Sequence, residues 1–302
     1  MNITVIGQGA MGMLFGGLLS QNNSVTLIGR DPVKMEHIRE QGVLIRDVDG
    51  TENIYHPDAV TSSENIPVQD LVIVFVKSAD TQTALSAHSG IIGENTILLT
   101  LQNGAGHEPD LLQFVRPGQA AVGVTMQGSY ILSDRAVCHS GGGDSFIGAV
   151  EGDPSRFAAI AAALTESGLP CHLSDSVCQM VWNKLMINAS SSVLSGILQV
   201  AQGYVIKDAS AWKLAQALIR ELCAVATADG YSFDPDAQID RLYHHLEAAP
   251  GGFTSIYADL KNGRRTEVDY INGFVVRTGK KYDIPTPTHE LIVDLVHAME
   301  NR

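Results

Sequence analysis

Basic residues are scarce in this chain. Its 302 residues carry 20 Lys and Arg against 33 Asp and Glu, a formal net charge of −13. The positive footprint that nucleic acid or an anionic membrane demands is therefore missing, and an anionic ligand must be met by local charge. Long apolar runs are also missing, since none reaches the roughly 18 residues of a membrane span. Cysteine is sparse: Cys138, Cys171, Cys178 and Cys223 form no Cys-x-x-Cys pair and have no His at metal spacing. They read as free thiols in a reducing compartment, and no metal is expected. The opening Met1-Asn2-Ile3-Thr4-Val5-Ile6 lacks the basic and apolar regions of an export signal, so a cytoplasmic location is the expectation. There is no internal repeat or low-complexity tract.

What is present is an apolar fraction of 45% with 18% charge, enough to build real cores in a chain whose length suits two domains. Short β-branched runs at 3–6, 25–28, 71–76, 96–101 and 121–126 alternate with helical stretches in the first half. The run Leu71-Val72-Ile73-Val74-Phe75-Val76 is apolar throughout, as a parallel strand covered on both faces must be. This is a Rossmann-like pattern. Shorter strands are predicted between 137 and 173, with His139 in a Gly-rich turn and a helix from Pro154. After 174 strand signals fade, and amphipathic helices are predicted at 175–200, 207–229, 236–247, 267–281 and from Pro287. The fold class is α/β: a Rossmann-like parallel-sheet domain over 1–174, then an all-α domain over 175–302.

Gly7-Gln8-Gly9-Ala10-Met11-Gly12 follows an apolar strand and opens a helix. Its glycines permit a tight turn, close approach to a pyrophosphate and close helix packing, while the helix N-terminus offers unpaired amides. Gly16 and Gly17 extend the close packing. At the end of the second strand an NAD site usually places an acid on the ribose, but Arg30 stands there, which favours NADPH. Asp31 either takes the ribose or caps the helix begun by Pro32. Lys77, at the carboxyl edge of the sheet, is either a ligand contact or a solvated strand end. Asn103 either hydrogen-bonds the cofactor ribose or substrate, or simply makes an Asn-Gly turn.

In the second half, Lys184, Asn188, Ser191, Ser192 and Ser195 recur at intervals of three and four on one face of an otherwise apolar helix. A lysine there is costly to bury unless a carboxylate or a lowered pKa accompanies it. Such a group can protonate a ketone oxygen as charge develops on it; the plainer alternative is a snorkelling surface lysine. Glu267, in Arg264-Arg265-Thr266-Glu267-Val268-Asp269-Tyr270-Ile271-Asn272-Gly273, is open to a role as a helix-start carboxylate.

The glycine turn, Val76-Lys77, Leu101-Gln102-Asn103-Gly104, Trp182-Asn183-Lys184-Leu185 with Asn188, and Thr266–Gly273 together resemble the ketopantoate reductase family. The resemblance implies a Rossmann-like domain joined to a helical one, active sites in a cleft between them, and NADPH-dependent reduction of 2-dehydropantoate to (R)-pantoate for pantothenate synthesis. It implies Lys184 as proton donor with Glu267 as catalytic partner and cofactor-side contact. It assigns Gly7, Gln8, Gly9, Ala10, Met11, Gly12, Arg30, Lys77, Asn103 and Ser129 to the cofactor. Asn103, Lys184, Asn188, Ser192 and Ser255 go to the substrate, a small 2-oxo acid. Three positions depart from it: Ser192, Gln202 and Gly252 stand where family asparagines grip pantoate. The alternatives are a relative that reduces another 2-oxo acid or an imine, and a non-catalytic NADP(H)-binding regulator. For assembly, a homodimer is the expectation.

Overall fold

The computed structural model describes residues 1–150 and 152–301. The chain forms two compact units, one of residues 1–102 and 107–180, the other of residues 103–106 and 181–302.

The strands of the first unit are β1 (Asn2–Ile6), β2 (Ser24–Ile28), β3 (Val43–Arg46), β4 (Glu52–Tyr55), β5 (Asp58–Val60), β6 (Leu71–Val74), β7 (Ile97–Thr100), β8 (Ala120–Thr125), β9 (Gly128–Ser133), β10 (Ala136–Gly141), β11 (Ser145–Ala149) and β12 (Cys171–Leu173). Eight of them build one sheet in the order β12-β11-β8-β7-β6-β1-β2-β5. Pairing is parallel except between β8 and β11, which run antiparallel. The sheet is thus mixed, because β8 and β11 are joined through a hairpin excursion instead of a helical crossover. Apolar clusters cover both of its faces, one around Ile3, Val5, Leu27 and Ile73, the other around Ile6, Ile28, Val72 and Val74. That explains the unbroken apolar strands.

A second sheet, β4-β3-β10-β9, was not anticipated. Its strands are short and bulged, and their solvent-facing residues blur the alternation. His139 lies within β10 instead of a turn, with Nε2 2.7 Å from Gln127 Oε1 and Nδ1 3.2 Å from Asp47. Between the two sheets runs the helix Ala10–Leu19, buried from Gly12 to Leu19. A Cβ on Gly16 would touch Leu27 of the large sheet; one on Gly17 would come within 3.0 Å of Ile45 in the small one. The glycine pair lets one helix pack on both sheets at once, and its apolar residues accordingly show no polar stripe.

The second unit is helical. The 20-residue helix Ala209–Ala228, capped by the Asp208 carboxylate on the amides of Ser210 and Ala211, packs against helices Pro235–Ala248, Asn272–Lys281 and Pro287–Glu300. Its core gathers Trp182, Leu185, Leu218, Leu222, Val268 and Val275. The helix expected over 267–281 starts only at Asn272, because residues 267–271 form a tight turn closed by Tyr270 and Ile271 amides on the Glu267 carbonyl. Among the described residues, no helix is long and apolar enough to cross a membrane.

Candidate active site

In the first unit the order of the large sheet reverses at β1, where ligands of open α/β sheets bind. Gly7 takes φ +132°, and a Cβ there would lie 2.6 Å from the backbone of Phe75. A Cβ on Gly12 would fall 1.8 Å from the Gly7 carbonyl oxygen. No side chain caps the helix that follows, so its first amides point into the turn. Gly9 differs from both neighbours: a Cβ on it would meet no protein atom within 4 Å. Protein packing does not demand glycine at 9, whereas approach of a pyrophosphate does. The turn fits a dinucleotide.

Gln8 ties this turn to the loop after β2. Its Oε1 accepts from the Asp31 amide at 3.0 Å, and it packs where any side chain at Gly29 would clash. Asp31 resolves in favour of capping: its carboxylate accepts from the amides of Val33 and Lys34. Arg30 is open to solvent and paired with Asp80, 3.2 Å away. Lys77 follows β6, half-buried, and leads into a short 3₁₀ turn, Ser78–Asp80. The Val76 carbonyl beside it is held by buried Gln102, whose Nε2 donates at 2.7 Å and whose Oε1 accepts from the Thr100 hydroxyl. Gln102 thus anchors the Lys77 segment, a role hidden in the sequence because the two are 25 positions apart. Ser129 lies on β9, which packs against the helix Ala10–Leu19, and is paired with His139, its hydroxyl buried without a hydrogen-bond partner.

In the second unit, Lys184 lies on helix Val177–Ile187, half-buried. Burial of its ammonium pushes the pKa from 10.5 down to about 8, against the opposing pull of the Glu267 carboxylate. Asn103 Nδ2 donates to Glu267 Oε2 at 3.5 Å. The Asn103 segment is held by Gly104, at φ +95°, where a Cβ would lie 2.3 Å from the Tyr270 carbonyl; the same carbonyl accepts from the Ala105 amide. More than an Asn-Gly turn, the segment is stitched to the Glu267 turn, and Lys184, Glu267 and Asn103 form one cluster.

The helix does not run on regularly. Asn188–Ser192 is a π-helical turn, followed by helix Val193–Leu198. The Ser190 hydroxyl donates to the Met186 carbonyl, that of Ser191 to Ile187, and that of Ser195 to Val200. Ser190 and Ser191 therefore serve the backbone that the extra residue disturbs, and Ser195 the chain just past the end of the next helix, so the polar stripe narrows to Lys184, Asn188 and Ser192. Asn272 completes the support: its Nδ2 donates to the Ala189 carbonyl and to His289 Nδ1, while His289 Nε2 donates to Leu218.

The three departing positions meet in space. Gln202 Nε2 donates to the Ser192 hydroxyl at 3.1 Å, and the Gln202 amide to the Gly252 carbonyl at 2.9 Å. Thr254, next to exposed Ser255, donates to the Ser192 carbonyl and caps helix Ser255–Lys261. Close approach of Gly196 to Ile256 holds that helix on the Lys184 helix run.

A dinucleotide turn on a doubly wound sheet, with a helical unit carrying a lysine of lowered pKa, defines a nicotinamide-dependent oxidoreductase. Residues 3–152 match the family model described as Ketopantoate reductase PanE/ApbA, and 176–300 the model of its C-terminal part. The chain belongs to the ketopantoate reductase family. It is similar to the 2-dehydropantoate 2-reductase of Halobacterium salinarum, 30% identical with 98% of each chain covered, and to that of Lactococcus lactis, 31% identical with 99% and 98% covered. Among solved structures it is similar to a D-mandelate dehydrogenase in ternary complex with NADH and anilino(oxo)acetate, at 32% identity and TM-score 0.92, covering 100% and 99% of the two chains. Among the described residues, no cluster of His, Cys, Asp or Glu could hold a metal, and the four cysteines are free.

Proposed function

We propose that the protein reduces 2-dehydropantoate to (R)-pantoate with NADPH. The carrying observation is Lys184, whose pKa near 8 sits beside Glu267 and Asn103. A nicotinamide nucleotide whose pyrophosphate lies in the glycine turn would supply a hydride to the ketone carbon. Lys184, protonated at neutral pH, hydrogen-bonds the ketone oxygen and gives its Nζ proton as that oxygen gains charge. Glu267 keeps enough negative charge nearby to hold the proton on Lys184 until it is needed, and Asn103 orients Glu267. Asn188 and Ser192, one and two turns further along, bind the substrate together with Ser255. The Gly7–Gly12 turn, Arg30, Lys77 and Ser129 serve the cofactor. In this reading residues 1–174 are the NADP-binding domain and 175–302 the substrate and catalytic domain, in a cytoplasmic homodimer whose free thiols suit a reducing compartment.

The test is oxidation of NADPH on addition of 2-dehydropantoate, with other 2-oxo acids alongside. Turnover on none of them with NADPH or NADH would overturn the reading. A second reading, reduction of a bulkier 2-oxo acid, is supported by the Ser192–Gln202–Gly252 cluster, which stands where asparagines are expected for pantoate, and by the aromatic oxo acid in the D-mandelate dehydrogenase structure. That neighbour's NADH also makes NADH a second candidate cofactor. A rate on aryl 2-oxo acids exceeding that on 2-dehydropantoate would select this reading.

A further inference from the structure

An NAD-type site reads the adenosine ribose with a carboxylate at the end of the second strand, and this chain has Arg30 there instead. The only neighbouring carboxylate in sequence, Asp31, is committed to the amides of Val33 and Lys34. The carboxylate that meets the Arg30 guanidinium comes from a different loop. Asp80 Oδ2 lies 3.2 Å from Arg30 Nη2, across 50 residues.

Both partners are held in place by their backbones. The Arg30 loop is pinned through Gln8 Oε1 on the Asp31 amide. Asp80 sits at the end of the 3₁₀ turn following Lys77, its amide donating to the Lys77 carbonyl at 2.7 Å. The preceding carbonyl, that of Val76, is fixed by Gln102. The Arg30 side chain is 88% exposed, and a group that meets its guanidinium in this pose lies beside the Asp80 carboxylate.

We propose that Asp80 is a specificity-determining residue for the cofactor, setting the balance between NADPH and NADH; this rests on the cofactor reading above. A 2′-phosphate brings up to about two negative charges. To bind Arg30 it must displace Asp80 or lie beside it, and the carboxylate opposes it either way. A 2′-hydroxyl brings no charge and can donate a hydrogen bond to the same carboxylate. Arg30 and Asp80 thus pull in opposite directions, and the chain accepts both nucleotides with a shallow preference.

The experiment is titration of NADPH and of NADH by nicotinamide fluorescence, with no oxo acid present, on the wild type, Asp80→Asn, Asp80→Ala and Arg30→Ala. Expected for both Asp80 variants is a rise of about three- to fivefold in the ratio of NADPH to NADH affinity, the upper part of the scale of one charge contact at an exposed site. For Arg30→Ala the ratio falls. Added salt shrinks the wild-type difference. A ratio unchanged within about twofold in both Asp80 variants, with Arg30→Ala still lowering it, would overturn the role of Asp80 alone. Failure of the wild type to bind either nucleotide would overturn the cofactor reading beneath it.

Discussion

The side-chain amide of Asn272 donates to the Ala189 carbonyl at 2.9 Å, 83 residues away in sequence, within the π turn that carries Asn188 and Ser192. An inserted residue leaves backbone groups misaligned, and a buried carbonyl without a partner is costly. The second N–H of Asn272 goes to His289, which burial holds neutral by pushing its pKa down to about 4. Asn272→Ala orphans both acceptors, at about 1–3 kcal/mol each. Calorimetry should show a clearly lowered Tm, with kcat reduced more than cofactor affinity.

The same histidine predicts an acid limb for stability. Its folded pKa of about 4 lies below the ordinary 6.5, so between those values the unfolded chain binds more protons. Its contribution therefore falls as pH drops from 6.5 toward 4. Urea midpoints measured across this window should decline, and less steeply in a His289→Gln variant.

Lys184→Ala should lower kcat by about 10²–10⁴-fold, the range for loss of a general acid, with nicotinamide nucleotide binding retained. In the wild type, kcat/KM for reduction should fall as pH rises through about 8, where Lys184 loses its proton. Its effect on stability has the opposite sign. From pH 8 to 10.5 the unfolded chain binds the extra proton, so this group's contribution to stability grows. Because Glu267 raises the pKa, Glu267→Gln should move the alkaline limb of the rate profile to lower pH.

Gly9 and Gly12 should respond differently to alanine. Gly9→Ala meets no protein atom, so Tm should stay within about 1 °C while NADPH binding weakens about tenfold or more. Gly12→Ala collides with the Gly7 carbonyl, and should lower both Tm and binding. Equal Tm losses in the two variants would contradict the assignment of Gly9 to the ligand.

Gln202→Ala removes the donor to the Ser192 hydroxyl. The relative kcat/KM for 2-dehydropantoate and for aryl 2-oxo acids should change by about tenfold or more, the usual scale of a lost pocket contact. No change in that ratio would remove Gln202 from the substrate grip.

Much of this was readable from the chain because its physics is local. The glycine turn announces itself through residues four and six positions after a buried strand begins, and β6 through six apolar residues in a row. Lys184 stood out because a charge interrupts an apolar helix. The parts that stayed hidden depend on distant partners or irregular backbone. Asp80 gains meaning only when β6 and β2 lie in one sheet. Gln102 looks like any polar residue after a strand until Val76 is beside it. The serines at 191 and 195 mimic a binding face because period 3.6 cannot reveal that their hydroxyls are spent on backbone carbonyls. The small sheet stays hidden because β3 and β10 pair across 92 residues with only short, half-exposed strands.

The helix Ala10–Leu19 is wrapped by protein along its length, with only its first turn open. Peptide dipoles in a surface helix are damped by the water along their flank; here two sheets exclude that water, so the field emerges mainly at the amino end. The glycine turn therefore works like an insulated conductor with one bare tip. In a protein whose overall charge repels anions, such a tip can still draw in a pyrophosphate.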